Sequence, residues 1–311
     1  MSTKPIGVLV MAYGTASGPH DIERYYTDIR GGRPPSPEAL AELAGRYAAI
    51  GNTFPLAAIT RAQAEGLEAA LNRDRPGAFR AYVGNKHSPP FVGDAVARMA
   101  GDGIERGVGV VLAPHYSRMS IGGYMARIDA ALAADGSLRI TTIESWYDHP
   151  AFLAVLADRV AEARGRLADQ ERSNDLTVFT AHSLPRKILE HGDPYPDQLQ
   201  ATADLVAGRL GLRRYRIGWQ SEGRTPEPWI GPPLEEVIEK AAADGHTAVV
   251  VAPCGFTSDH LEILYDLDIE ARQVAARAGI PLVRTESMND DPRFLDALAS
   301  VVRDHLAAAP A

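Results

Sequence analysis

The segment Asp259-His260-Leu261-Glu262, with Asp266 and Glu270 beyond it, concentrates the side chains most able to do chemistry. On a helix, residues 262, 266 and 270 fall at i, i+4 and i+8 and form one acidic stripe. No Lys or Arg interrupts that stripe from 259 to 270. A solvated face, a cation path and a proton relay all satisfy the spacing. Two features favour chemistry. The stripe follows an apolar run and the turn Pro253-Cys254-Gly255-Phe256, and its neighbours Leu261, Ile263, Leu264 and Tyr265 predict a helix buried over much of its surface. Carboxylates in that setting are held by a cation or used in proton transfer. His182, in Thr180-Ala181-His182-Ser183-Leu184-Pro185, directly follows another apolar run. A structural histidine is the bland reading, but strand ends of this kind collect ligands. Imidazole with carboxylate suits Fe²⁺ and other borderline divalent ions, and the same pair can accept and pass protons near neutral pH.

Further groups are weaker alone. Tyr25, Tyr26, Arg30, Arg33, Arg46 and Tyr47 cluster within two expected helices. Arginine forks hold carboxylates bidentately, and tyrosine adds a ring face and a hydroxyl. Surface pairing with Asp21, Glu23, Asp28 and Glu38 is the alternative. His115-Tyr116-Ser117 with Tyr124, and Lys86-His87, each follow an apolar run. Cys254 reads as a small buried residue rather than a reactive thiol.

These residues must be positioned by elements the pattern makes plain. Short β-branched and aliphatic runs predict strands at 7–12, 80–84, 107–113, 139–143, 176–181, 215–219, 247–252 and 281–285. Several are apolar on both faces, as parallel strands covered by helices must be. Helical patterns fall between them at 21–30, 37–49, 59–72, 91–99, 122–134, 150–168, 196–208, 233–243, 259–278 and 292–308. Such alternation gives an α/β fold, here two Rossmann-like lobes, each with a parallel sheet flanked by helices. The expected lobes are residues 1–147 and 148–311, with the last helix able to pack across both. Val111-Leu112-Ala113-Pro114 resembles Val250-Val251-Ala252-Pro253, and the run ending in Tyr13 resembles the run ending in His182, which suggests internal duplication. Tyr13 and His182 would then face each other across a shared cleft.

The bulk numbers set limits. A length of 311 residues fits two lobes of ordinary size. The net charge of -8 argues against general nucleic-acid or anionic-membrane binding, so an anionic ligand needs locally gathered cations. The single cysteine excludes an intrachain disulfide or a cysteine-held iron–sulfur cluster, and a reducing cytosol is the simple compartment. No apolar run is long enough to span a bilayer.

Longer ordered stretches resemble the ferrochelatase family. They are Met11-Ala12-Tyr13-Gly14-Thr15, Arg24-Tyr25-Tyr26, Arg46-Tyr47-Ala48-Ala49-Ile50-Gly51, Thr180 to Pro185, Gly192-Asp193-Pro194-Tyr195, Trp219-Gln220-Ser221-Glu222-Gly223, Pro228-Trp229, and Gly255-Phe256 with Asp259 to Glu262. The resemblance runs from about residue 6 to about residue 305. Within the family it points to the monomeric, cytoplasmic type that takes coproporphyrin III, and Tyr13 favours that type. It implies four parallel strands per lobe, a porphyrin cleft between the lobes, and no cofactor beyond the substrate Fe²⁺. It implies His182 and Glu262 as catalytic groups, and a metal path through His182, Glu262, Asp266 and Glu270 with Tyr13 on the opposite ring face. Arg30, Arg46, Tyr47 and Tyr124 would hold propionates. At Asn52-Thr53-Phe54 the family carries a small hydroxyl residue just before the proline, so Thr53 would supply that contact one position early. A downstream coproheme decarboxylase is the implied partner, met transiently. A cobalt or nickel chelatase shares this chemistry. A non-catalytic haem or metal carrier would not need the acidic stripe, and a two-lobed glycosyltransferase would need a glycine-rich nucleotide loop that the chain lacks.

Overall fold

The computed structural model describes residues 4–133, 138–223 and 225–308. The expected helix end at Ala134 and the outermost residues of both expected lobes lie outside them. Eight strands form two separate parallel sheets: β1 (Ile6–Ala12), β2 (Phe79–Asn85), β3 (Arg106–Val111) and β4 (Arg139–Ile143) in one, β5 (Leu176–His182), β6 (Tyr215–Gln220), β7 (Val249–Ala252) and β8 (Leu282–Arg284) in the other. The spatial orders are β2-β1-β3-β4 and β6-β5-β7-β8. The second sheet therefore repeats the first, strand for strand. β1 and β5 are equivalent, and so are Tyr13 just after β1 and His182 at the end of β5. Both sit at the carboxyl edge where the chain order reverses, which is where open α/β sheets bind ligands.

The strands form where the sequence is apolar on both faces, since helices cover each side. Every residue of β1 from Gly7 on is buried, as is all of β7. Helix starts follow their local signals. Ser36 caps Pro37–Ala49, its Oγ accepting from Ala39 N at 3.2 Å, with Pro37 in the first turn. His149 Nδ1 accepts from Ala151 N at 3.3 Å at the start of Pro150–Gly165.

The expected single helix over 259–278 is corrected. It divides into Leu261–Leu264, a π-helical turn Asp266–Ala271, and Arg272–Ala278. Glu270 N–H reaches five residues back to the carbonyl of Tyr265 at 3.0 Å, which widens the turn. No Gly or Pro marks the break. Arg284 at the end of β8 grips Asp268 bidentately at 2.9 and 2.8 Å and reaches Asp259 at 3.4 Å, so the segment is held from outside at its start and within the π-helical turn.

The two halves are joined through a buried seam. One apolar cluster runs from Val8 and Val108 through Phe152 and Phe294 to Phe179 and Trp219. The last helix, Pro292–Ala308, packs on Leu56–Leu71 and on Pro150–Gly165. Gln63, fully buried, donates to the Asn289 carbonyl at 2.8 Å and accepts from Ser258 Oγ at 3.2 Å. Thr257 Oγ1 donates to the Leu112 carbonyl at 3.1 Å. These bonds fix the loop after β7, and with it the start of the acidic segment, against the first half. No described helix is long and apolar enough to cross a membrane.

Candidate active site

His182 pairs in register with Gln220 at the carboxyl ends of β5 and β6. Its Nδ1 meets the carbonyl of Ser183, which can only accept, so Nδ1 carries a proton and Nε2 is left facing the cleft. Nε2 lies 3.6 Å from Glu262 Oε1, and about a third of each side chain is open. The other carboxylate oxygen, Oε2, lies 3.4 Å from His260 Nε2, while His260 Nδ1–H donates to the Ser258 carbonyl at 2.9 Å. Glu262 thus stands between two imidazoles.

Sequence reasoning missed His260 as a site residue. Side chains two apart on a helix point away from each other. Here the helix begins only at Leu261, and His260 is extended at φ -157 and ψ -176, so its ring folds back over Glu262. A histidine two residues before an apolar-flanked Glu262 was the available signal.

Charge is distributed unevenly along the row. Burial alone would lower the His182 imidazole, but the Glu262 carboxylate outweighs it and raises it to about 9. His260 is raised for the same reason, against burial. Burial would push Glu262 up, and the two histidines hold it below the usual carboxylate range. Asp266 is raised to about 7, first by burial and then by the neighbouring Glu262 charge.

Asp266 and Glu270 open onto a cavity of about 370 Å³ also lined by Arg46, Ser221, Glu222 and Glu235. Asp266 is 4% exposed, Ser221 Oγ donates to its Oδ2, and its Oδ1 has no hydrogen-bond partner. Ser221 is held at φ 59, in the left-handed region that non-glycine residues rarely occupy. Among the described residues no three His, Cys, Asp or Glu side chains converge into a ready-made metal cage. Asp266→Asn is expected to weaken divalent-cation binding at this cavity about ten-fold, the scale of one charge-assisted contact. Calorimetric titration of the wild type and the variant with a divalent cation checks this.

Tyr13, just after β1, is 44% exposed. Its phenol is pushed up first by burial and next by Glu262, which places it within the field of that carboxylate. Its ring packs on His87 at 4.6 Å between centroids, and His87 Nδ1 lies 2.7 Å from Asp28 Oδ1.

The expected propionate residues are dispersed. Arg30 is exposed, its guanidinium 5.8 Å from the Tyr26 ring centre. Arg46 reaches the acidic cavity, 3.7 Å from Asp266 Oδ1 and 3.7 Å from Glu42 Oε1, over the Tyr265 ring at 5.1 Å. Tyr47 and Tyr124 are each 3% exposed. The Tyr47 ring stacks on Phe54, and its hydroxyl pairs with Thr15 Oγ1 at 3.3 Å. The hydroxyl proton of Thr53, expected for a propionate, is donated instead to the carbonyl of Ile50 at 3.1 Å, because Asn52 turns left-handed at φ 53 and folds the chain back on the helix end. Cys254 is buried, and burial pushes its thiol up to about 12, so it is inert.

Two equivalent sheets, with an imidazole–carboxylate row at the carboxyl edge of one and a tyrosine at the matching edge of the other, fit a protein of the chelatase class. The comparisons agree and go further. The Ferrochelatase family matches residues 5–306, and this chain belongs to that family. It is 50% identical over 308 residues to the coproporphyrin III ferrochelatase of Anoxybacillus flavithermus, covering 98% of each chain. With the coproporphyrin III ferrochelatase of Bacillus subtilis it is 49% identical over 304 residues, covering 97% of this chain and 98% of the relative. Among solved structures, SirB from Bacillus subtilis with Fe³⁺ superposes with a TM-score of 0.60 at 12% identity, covering 97% of this chain and 95% of that one. DR2241 from Deinococcus radiodurans gives 0.57 at 15% identity, covering 97% of this chain and 55% of that one. At those identities the likeness is one of fold.

Proposed function

We propose that this chain inserts Fe²⁺ into coproporphyrin III, giving its iron complex. The observation that carries the reading is the His182–Glu262–His260 row, continuous with an acidic cavity on one side and facing Tyr13 on the other. Near-identity in length to relatives named for that substrate supports it.

Insertion must remove two pyrrole protons and admit one divalent cation. Near neutral pH the His182 imidazole, raised to about 9, is charged and balanced by Glu262, and it serves as proton acceptor or as the last ligand before the ring only once Nε2 has released its proton. Asp266 and Glu270 conduct the cation toward that pair, losing any bound proton as it arrives. Tyr13 meets the ring from the other face. Arg30 and Tyr124 serve the substrate rim. Both ion pairs of Arg46 are longer than a hydrogen bond, so its N–H groups stay available for a propionate. Binding energy from those remote carboxylates drives the ring out of plane, which exposes its inward lone pairs. No further cofactor is needed.

The test is an anaerobic insertion assay with Fe²⁺, with coproporphyrin III and protoporphyrin IX run side by side and the porphyrin absorption followed. Faster conversion of coproporphyrin III is expected. A preference for protoporphyrin IX would keep the chelatase and change its substrate. Binding of both without insertion would favour a carrier, against which the acidic cavity argues.

A further inference from the structure

We propose that Lys86 and Arg127 form a carboxylate-binding subsite on the Tyr13 wall of the cleft and take one propionate of the substrate. The proposal rests on the porphyrin reading above. It begins with an imbalance. Coproporphyrin III carries four carboxylates, while the chain as a whole is acidic at -8. The two arginines expected to meet those carboxylates, Arg30 and Arg46, are too few for four. Cations must be gathered elsewhere along the rim.

Lys86 and Arg127 come from different elements and meet. Lys86 follows β2, and its N–H donates to the Ala12 carbonyl at 2.9 Å, which seats it beside Tyr13. Its Nζ lies 5.3 Å over the Tyr124 ring. Arg127 sits one turn beyond Gly123 on the helix Ile121–Leu132, and its Nη1 donates to the Gly123 carbonyl at 2.9 Å. A Cβ on Gly123 would stand 2.9 Å from Lys86 Nζ and 3.8 Å from Arg127 Nη1, so both cationic groups converge within 4 Å of that point. The glycine makes the approach possible.

Two like charges have been brought together, and among the described residues neither forms an ion pair. Both are only partly open to solvent. Burial and the Arg127 charge push the Lys86 ammonium down to about 8. Such an arrangement is costly unless an anion completes it, because half-buried charges are paired in stable structures. The field of Arg127 acts on both Tyr13 and Tyr124, which sets the subsite beside the tyrosine that faces Glu262. A carboxylate there would bridge the ammonium and the guanidinium, over the aromatic face that Tyr124 supplies. Neither residue stood out in the sequence as a pair, since they lie on separate elements of the first half.

The experiment measures porphyrin affinity by fluorescence quenching for the wild type, Lys86→Met, Arg127→Met and Lys86→Arg. Two probes are used: coproporphyrin III and its tetra-amide with ethanolamine, which keeps the ring and removes every negative charge. Thermal unfolding confirms that the variants fold. Each methionine variant should lose about ten-fold or more in affinity for the acid, the scale of a charge-assisted hydrogen bond, and less than about two-fold for the amide. Lys86→Arg should stay within a few-fold of wild type for the acid. Unchanged affinity for the acid in both methionine variants would overturn the subsite. An equal loss for acid and amide would overturn it too, by reducing both residues to structural supports. Failure of the wild type to metallate coproporphyrin III is a separate result, read on the unaltered chain, and strikes the parent reading alone.

Discussion

His182→Ala should lower the rate of Fe²⁺ insertion by about 100- to 10,000-fold, the range spanned by the loss of a positioned general acid or base, while porphyrin binding persists. The expectation follows from the tautomer. With Nδ1–H committed to the Ser183 carbonyl, Nε2 is the imidazole nitrogen turned toward Glu262, 3.6 Å from its Oε1. No described neighbour replaces it, because His260 directs its own Nε2 at the far oxygen of Glu262. Binding should survive, since the cationic groups that meet the porphyrin rim lie on other elements. The fold should survive as well. About a third of the His182 side chain is open, and its removal enlarges the cleft rather than leaving a closed cavity. Anaerobic single-turnover insertion and porphyrin fluorescence titration on the same preparation decide the matter. Loss of binding with near-normal turnover at saturation would make His182 a substrate anchor instead.

Much of this arrangement is legible in the chain, for identifiable reasons. β1 and β7 announce themselves because strands covered on both faces read as unbroken apolar runs, and the ends of Pro37–Ala49 and Pro292–Ala308 are written in proline and capping chemistry. His182 was visible because a polar residue ending such a run stands at the ligand edge. The acidic stripe was visible as a spacing, but its shape was not. No Gly or Pro within 259–278 announces the π-helical turn, and the Arg284 contacts to Asp268 and Asp259 that accompany it come from β8, far along the chain. The position of Arg46 beside Asp266 was hidden for the same reason, a contact between residues far apart in sequence. The bond from Thr53 to the Ile50 carbonyl was hidden because it goes with a left-handed Asn52 that composition does not reveal. Local signals are written locally, whereas contacts across the cleft are set by packing.

Glu262→Gln should be nearly as damaging as His182→Ala and should carry a pH signature that distinguishes its cause. Glu262 is the group that raises both histidines, so its neutralisation lets burial dominate and returns His182 from about 9 toward or below its ordinary 6.5. NMR titration of the imidazole reads that change directly, and a His182 still titrating near 9 would assign its charge to another carboxylate. Insertion should fall by about 100-fold or more, because the His182 imidazole loses the carboxylate that balances and positions it. Stability follows from linkage. His182 is raised on folding, so its contribution is complete below about 6.5 and fades as pH climbs through about 9. Glu262 is depressed on folding, so its contribution is complete above its usual 4.5 and fades as pH falls below that value. The pair is therefore worth most between these limits, near pH 5 to 7. The difference in Tm between wild type and Glu262→Gln should be largest in that window and should shrink above about pH 9. A difference independent of pH would mean that Glu262 acts by packing alone, and the charge balance of the row would have to be assigned elsewhere.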